Sequence, residues 1–168
     1  MTIQLSSSSF LQMLALSGLL SDQQMRSVEK RFSASVGRTA VDVSTQRIII
    51  WLLKRKLITP WHAEKLIQGR FRGFFLGDYK LLNRVARGGM STVYAAKDKL
   101  SGEIHAIKVL SLSKADKASY LLRFQREATI TQRLNHPNIV HVFGVFSGTD
   151  GQTDVHFMAM ELLQGRDL

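Results

Sequence analysis

The sequence has no cysteine and only two prolines among its 168 residues. Without thiols the chain cannot form a disulfide framework or a thiolate zinc site, and thiol redox chemistry is excluded. Its longest uninterrupted apolar run, Ile48 to Leu53, has six residues, whereas a helix needs about 20 to cross a bilayer. The residues before Phe10 include no basic side chain, so a secretory signal is a poor match. These absences predict a cytoplasmic chain without a transmembrane segment.

The two halves of the chain differ in charge and in pattern. Residues 1 to 76 carry 11 basic and 4 acidic side chains, and residues 77 to 168 carry 12 and 9. At the same place the apolar residues change from helical spacing to short alternating runs separated by glycine turns. We therefore predict two domains, a helical module with its linker over residues 1–76 and a domain built on short strands over residues 77–168.

Local signals in the first domain predict a small all-α module. Ser21-Asp22-Gln23-Gln24 has the spacing of a capping box, and Thr59-Pro60 is typical of a second helix start. Leu19-Leu20-Ser21 and Leu57-Ile58-Thr59 both place two apolar residues before a capping hydroxyl. We interpret this as a candidate for a weak internal repeat, for which two copies of so short a pattern are little evidence.

A basic cluster, Lys54-Arg55-Lys56, lies between Trp51 and Trp61. Basic residues beside aromatics can bind a nucleic-acid backbone or an anionic membrane surface. Alternatively, the cations end a helix, where they suit the negative end of its dipole, and the tryptophans fill a helical core. We favour this second interpretation, because no aromatic platform or helix-turn-helix spacing is evident. Nucleic acid is therefore not an expected partner, and nothing in this module indicates catalysis.

In the second domain, Tyr79 to Ala86 and Ser91 to Lys97 are predicted strands joined by Arg87-Gly88-Gly89-Met90. Because glycine has no Cβ, such a loop lets backbone N–H groups approach a phosphate closely. An ordinary hairpin turn is the alternative, and for the two glycines alone it is the preferred one.

A further predicted strand over residues 103–110 contains Lys108, and a predicted helix over residues 119–134 contains Glu127. These two charged residues are candidates for a functional site. Strand alternation puts Lys108 on the same face as the small Ala106. A cation on a largely apolar strand requires a partner or an anionic ligand, unless the strand is an edge strand from which the lysine reaches solvent. Glu127 of the helix has two candidate partners, Arg123 four residues earlier and Lys108.

Five sequence motifs follow one another at suitable distances: Val85-Ala86-Arg87-Gly88-Gly89-Met90-Ser91-Thr92-Val93-Tyr94, Ala106-Ile107-Lys108, Arg123-Phe124-Gln125-Arg126-Glu127, His136-Pro137-Asn138-Ile139-Val140 and Met158-Ala159-Met160-Glu161. In this order the chain resembles the amino-terminal lobe of a eukaryotic-type protein kinase, and its glycine loop is similar to that of bacterial, Hanks-type serine/threonine kinases. The resemblance covers residues 77–168 and ends at the hinge. It implies an α+β fold, a five-stranded antiparallel sheet with one major helix, the C helix, after the small all-α unit.

The resemblance also implies a set of ATP-binding residues: Val85, Ala86, Arg87, Gly88, Gly89, Met90, Ser91, Val93, Ala106, Lys108, Met160, Glu161, Leu163 and Asp167. The glycine loop would cover the phosphates, and Val93 and Ala106 would cover the adenine. Lys108 would contact the α- and β-phosphates and would be positioned by Glu127, so these two are the catalytic candidates.

At the hinge, the resemblance assigns three positions to the nucleoside. Met160 would guard the back of the adenine pocket, the backbones of Glu161 and Leu163 would hold the adenine edge, and Asp167 would contact the ribose. Two positions of the glycine loop depart from the family pattern, since Ala86 and Ser91 replace its first and third glycines. Neither departure removes Lys108 or Glu127.

The motifs of a kinase lower lobe, the catalytic Asp with its Asn and the Asp-Phe-Gly that holds Mg²⁺, do not occur in the sequence. We expect the ATP-binding part of a serine/threonine kinase, which transfers the γ-phosphate of ATP to protein Ser or Thr when a lower lobe is present. The 168 residues alone are expected to be inactive, with no metal site of their own and Mg²⁺ bound only with that lobe. The alternative is a non-catalytic fragment that binds a nucleotide or a partner, in part through its basic helical module.

Overall fold

The computed structural model describes residues 5–33, 44–89, 91–110, 117–134, 136–149, 154–163 and 165. The chain divides into two compact units, a helical unit Met1–Phe74 and a sheet unit Phe75–Leu168. The division falls two residues before the expected boundary at residue 76, because Phe75 and Leu76 pair with the sheet. No helix in the described ranges is long and apolar enough to cross a membrane.

The described part of the helical unit contains α1 Ser7–Leu16, α2 Asp22–Ser33, α3 Thr45–Lys54 and α4 Pro60–Ile67. The capping box predicted at Ser21 is confirmed: its backbone N–H donates to Gln24 Oε1 at 2.9 Å, and the Gln24 N–H donates to Ser21 Oγ at 3.3 Å. Thr59 caps α4 in the same way, with the imidazole of His62 as the reciprocal acceptor. Local spacing alone therefore fixes where α2 and α4 begin.

The weak repeat in the sequence extends over two whole helical hairpins in the structure. Residue 45, where α3 begins, follows residue 7, where α1 begins, by 38 positions, and residue 60 of α4 follows residue 22 of α2 by the same 38. Buried residues recur at this spacing in the pairs Phe10 and Ile48, Leu14 and Leu52, and Val28 and Leu66. The helical unit is therefore built from two copies of one hairpin, whose matching apolar positions form its core.

The turn between the helices of each copy contains one residue with positive φ. In the first copy it is Gly18, with φ 66°, and 38 positions later it is Lys56, with φ 55°. A left-handed backbone after a helix is usual for glycine, but it costs other residues roughly 1–2 kcal/mol.

We expect Lys56→Gly to stabilise the helical unit by about 0.5 kcal/mol, since relief of backbone strain exceeds the extra entropy of glycine in the unfolded chain. Gly18→Lys should destabilise it by about 1 kcal/mol. Urea unfolding followed by tryptophan emission measures both, because Trp51 and Trp61 lie in this unit. Lys56→Ala is the control, because it removes the charge and keeps the Cβ. Equal stabilisation by Lys56→Ala would show that charge, and not strain, is the cause.

The sheet unit is an antiparallel sheet with one helix, which confirms the α+β fold. Its described elements are β1 Phe75–Leu76, β2 Tyr79–Arg87, β3 Ser91–Asp98, β4 Ile104–Leu110, α5 Lys117–Gln132, β5 Val142–Thr149 and β6 Asp154–Glu161. The strand order is β1-β2-β3-β4-β6-β5, so the sheet has six strands where five were expected. The additional strand, β1, is too short to show alternation in the sequence, and it lies in the segment expected to be a linker.

The helix α5 packs on one face of the sheet through its own apolar side chains. Phe124 and Ala128 are 4% and 1% exposed, and they lie in one cluster with Leu110, Val142 and Met158 of the strands. These contacts place α5 against β4, β5 and β6. In the strand order, these three strands run from the centre of the sheet to one edge. The helix is thereby held over the strand that carries Lys108.

Two lysines face each other across β2 and β3. Lys80 is paired with Lys97 in the strand register, and burial lowers the pKa of Lys80, which the charge of Lys97 lowers further. Like charges directly opposite on a sheet are destabilising.

We expect Lys97→Glu to stabilise the sheet unit by about 0.5 kcal/mol, because repulsion across the pair becomes attraction. Urea unfolding followed by far-ultraviolet circular dichroism, at low and at high salt, measures the change, which should shrink in high salt. In the double variant Lys80→Gln/Lys97→Glu the gain should disappear. A gain that survives in the double variant would assign the effect to another neighbour of residue 97.

Candidate functional site

An ion pair links the sheet to its helix. Lys108 Nζ lies 2.7 Å from Glu127 Oε1, with side chains 25% and 51% exposed. Of the two candidate partners of Glu127, the structure thus shows Lys108 in contact. A pair this exposed contributes little to folding stability, about 0–1 kcal/mol. The ammonium has three N–H donors and uses one of them on Glu127.

Lys108 lies on a central strand, with β3 on one side of β4 and β6 on the other. The interpretation of Lys108 as an edge-strand lysine that reaches solvent is therefore wrong. Its direct neighbours in the register are Val93 and Met158. A lysine in this position stands over a sheet face of apolar residues and is neutralised from the helix by Glu127.

The strand register brings four of the predicted residues to one face of the sheet. Val93 is paired with Lys108, and two positions further along β4, Ala106 is paired with Met160 of β6. Residues paired directly across antiparallel strands point to the same side, and so do residues two apart on one strand. Val93, Ala106, Lys108 and Met160 therefore share the face that α5 covers in part. Ala106 is 5% exposed, and its small side chain projects only a short distance from this part of the sheet.

The glycine loop closes the hairpin between β2 and β3. The Gly88 N–H donates to the backbone oxygen of Ser91 at 2.8 Å, and Ala86 and Arg87 are paired with Val93 and Thr92. The hairpin alternative is thus correct as a description of the backbone.

The hairpin does not by itself require glycine at these positions. Neither Gly88 nor Gly89 has a positive φ, and a Cβ added at Gly89 would meet nothing within 4 Å. The open space beside Gly89 leaves room for a ligand to approach the backbone. Val85 precedes this loop on β2 and is 53% exposed, and the predicted loop residue Met90 lies outside the described residues.

The predicted hinge contacts are constrained by two hydrogen bonds that the sequence did not reveal. The backbone N–H of Glu161 donates to the His141 oxygen at 2.9 Å, and Glu161 Oε1 accepts from the His141 N–H at 2.7 Å. Because the N–H of Glu161 donates to His141, its carbonyl oxygen is the backbone group that remains for a contact with the edge of an adenine. Leu163, two residues later, is 65% exposed. The predicted ribose contact, Asp167, lies outside the described residues.

A titratable neighbour of the loop, Tyr94, has a raised pKa. Burial of its hydroxyl raises the pKa, and the positive charges of Arg84 and Arg87 oppose that rise. The hydroxyl therefore stays protonated at neutral pH and adds no negative charge beside the loop. Within the described ranges no group of three or more His, Asp or Glu residues is placed to hold a metal ion. The described residues thus offer cations and backbone donors for an anionic ligand, and they include no group of three or more possible ligands for a divalent cation.

Comparison with known proteins gives a family match over the sheet unit. A family model described as "Protein kinase domain" matches residues 79–168. The match begins at the first residue of β2 and includes all the residues of the site described above.

Individual relatives match the same part of the chain. The chain is 40% identical over 96 residues to "Probable serine/threonine-protein kinase PknB" of Corynebacterium glutamicum, across 56% of this chain and 15% of the relative. It is 34% identical over 92 residues to "Serine/threonine-protein kinase PrkC" of Bacillus subtilis, across 55% and 14%. It is 36% identical over 98 residues to "Serine/threonine-protein kinase PknD" of Mycobacterium tuberculosis, across 57% and 14%. The chain thus spans about one seventh of the length of these relatives.

Proposed function

This chain belongs to the protein kinase family, and we propose that residues 77–168 form the ATP-binding amino-terminal lobe of a serine/threonine kinase. The observation that carries the proposal is the 2.7 Å ion pair between Lys108 and Glu127, on the sheet face that also holds Val93 and Ala106. This is the arrangement of lysine and helix glutamate that kinases use on ATP phosphates. Serine/threonine specificity rests on the names of the relatives.

In the proposed complex, the adenine lies on Ala106 and Val93, and its edge meets the backbone of Glu161 and Leu163. The triphosphate extends under the glycine loop toward Lys108. Two donors of the ammonium reach the α- and β-phosphate oxygens, while Glu127 holds the third and fixes the ammonium in place. The open space beside Gly89 admits the phosphates close to backbone N–H groups.

The reaction proposed for the whole kinase is transfer of the γ-phosphate to a Ser or Thr hydroxyl of a protein substrate. The phosphoryl group leaves the β-phosphate oxygen and bonds to the hydroxyl oxygen, whose proton passes to a base. Magnesium, when bound, neutralises charge on the β- and γ-phosphates. Among the described residues no group of three or more His, Asp or Glu is placed to hold it. We propose that the base and the metal ligands belong to a lower lobe, and that the 168 residues alone bind ATP without transferring phosphate.

Calorimetric titration of the 168-residue chain with ATP and with AMP tests the proposal. We expect ATP to bind at least tenfold more tightly than AMP, because its β-phosphate adds a charge-assisted contact to the oriented ammonium, and such a contact contributes roughly 1.5–3 kcal/mol. Lys97→Met is a matched control, since Lys97 is an exposed lysine of the same sheet and its loss should leave ATP binding unchanged. Equal binding of ATP and AMP, or the absence of binding, would contradict the proposed phosphate site.

A further inference from the structure

The two copies of the helical hairpin allow an internal comparison of what the fold requires. The turn after α1 reads Leu16-Ser17-Gly18, and the turn 38 positions later, after α3, reads Lys54-Arg55-Lys56. Each turn ends a helix of ten residues and leads into a capped helix. Because the uncharged turn makes the same connection, the three cations are not needed to end a helix in this fold.

The cations of the second turn have no acidic partner in the part of the chain that the structure describes. Lys54, Arg55 and Lys56 are all exposed, and among the described residues none of them forms an ion pair with a carboxylate. Arg47 is exposed as well and lies seven residues before Lys54, on the same side of α3. Four positive charges are thus presented to solvent along the outer side of α3 and in the turn that follows it.

One of these cations occupies a backbone position that disfavours it. Lys56 has φ 55°, where the first copy has Gly18. Residues held in such a conformation are frequent at binding sites, where something other than stability determines the residue. A lysine in the place of glycine indicates that its charge has a use.

Two apolar groups lie beside the cations: an aromatic ring that other side chains cover, and an exposed aliphatic side chain. The guanidinium carbon of Arg55 lies 4.6 Å from the centre of the Trp51 ring, and Phe32 meets the same ring edge to face at 5.7 Å. The ring of Trp51 therefore does not offer a free platform for a nucleic-acid base. Beside it, Ile50 is 45% exposed on the outer side of α3.

We propose that the outer side of α3 and the turn after it, with Arg47, Ile50 and Lys54–Lys56, bind an anionic phospholipid surface. Cations around an exposed apolar side chain on the outer side of a helix are typical of segments that lie at a membrane interface. The ammonium and guanidinium groups contact the phosphates, and Ile50 enters the boundary of the acyl chains. A single-stranded nucleic acid fits less well because the tryptophan ring is covered, and binding to a duplex is one outcome of the test.

Vesicle sedimentation with the full 168-residue chain tests this proposal. The vesicles are phosphatidylcholine alone or with about 30% phosphatidylglycerol, at about 0.05 and 0.15 M salt. We expect binding to the anionic vesicles only, weakening as salt rises. The variant Lys54→Gln/Arg55→Ser/Lys56→Gly should reduce the partition coefficient on the order of 100-fold, since each cation near the surface contributes about fivefold.

A matched control removes three charges elsewhere on the same unit. The variant Arg26→Gln/Arg70→Gln/Arg72→Gln changes exposed residues outside α3 and its turn and has the same net charge as the turn variant. It should keep most of the vesicle binding. Ile50→Ser should weaken binding to vesicles and leave any binding to duplex DNA unchanged.

Circular dichroism and tryptophan emission check that both triple variants are folded. The turn variant resembles the turn of the first copy and is expected to fold. Equal loss of binding in the two triple variants would overturn the proposal, because net charge alone would then explain the binding. Absence of binding to anionic vesicles, or tighter binding to duplex DNA than to vesicles, would also overturn it.

Discussion

Replacing Lys108 with methionine is expected to weaken ATP binding by about 10- to 100-fold and AMP binding by less, because AMP offers Lys108 only an α-phosphate. Methionine keeps most of the length of the side chain and removes its charge. The loss corresponds to roughly 1.5–3 kcal/mol for a charge-assisted contact to phosphate. Folding should change little, because the ion pair that Lys108 forms is 25% and 51% exposed. Titration calorimetry with both nucleotides measures the change.

Glu127 provides the second side of a double-mutant cycle. If it acts by positioning Lys108, Glu127→Gln should weaken ATP binding about tenfold in the unmodified chain and have little further effect in Lys108→Met. Arg123→Gln on the same helix is the control and should leave ATP binding unchanged. Losses that add fully in the double variant would show that Glu127 does not act through Lys108.

Replacing Phe124 with alanine is expected to give the largest loss of stability, about 3 kcal/mol or more, in the sheet unit. Phe124 is 4% exposed and lies in the cluster that joins α5 to the strands. Its truncation removes apolar contacts and leaves a cavity between the helix and the sheet, and buried Phe→Ala changes commonly cost about 3–5 kcal/mol. Because α5 carries Glu127, the contact with Lys108 should also loosen, and ATP binding should weaken with it.

Hydrogen exchange read by mass spectrometry measures this loss locally. Peptides from β4, β6 and α5 should exchange faster in Phe124→Ala, because these elements share the cluster with Phe124. Leu122→Ala is the matched control: Leu122 lies on the same helix and is 67% exposed, so its truncation should change stability by less than about 0.5 kcal/mol. Similar effects of the two variants would contradict the packing of α5 described here.

The parts of the fold that depend on neighbouring residues could be predicted from the sequence. The caps at Ser21 and Thr59 form within four residues of chain, so their spacing determines them. The ladder from β2 to β4 follows from alternation. The two-residue strand Phe75–Leu76 was missed, since so few residues show no period.

Contacts between distant residues were predicted only where a family resemblance supplied them. Lys108 and Glu127 are 19 residues apart, and their chemistry alone left Arg123 as an equal candidate. The bonds between His141 and Glu161 were missed, because nothing local in either segment points to the other.

The duplication of the helical hairpin was visible in the sequence only as a short pattern. Its matched core positions keep their burial but change residue type, as in Phe10 and Ile48. The turns differ even more, with Gly18 in one copy and Lys56 in the other. Backbone conformation and burial are therefore what relate the copies, and neither can be read directly from the residue names.

We propose above all that Lys108 faces the phosphates of bound ATP. An ATP analogue with an acyl group on its γ-phosphate tests it most directly, because a nearby lysine amine attacks the acyl carbon and the nucleotide leaves. After reaction with the 168-residue chain, peptide mass spectrometry locates the acylated lysines. We predict that Lys108 reacts ahead of exposed lysines such as Lys97, and that excess ATP suppresses its reaction. Acylation spread over the exposed lysines and unaffected by ATP would contradict the claim.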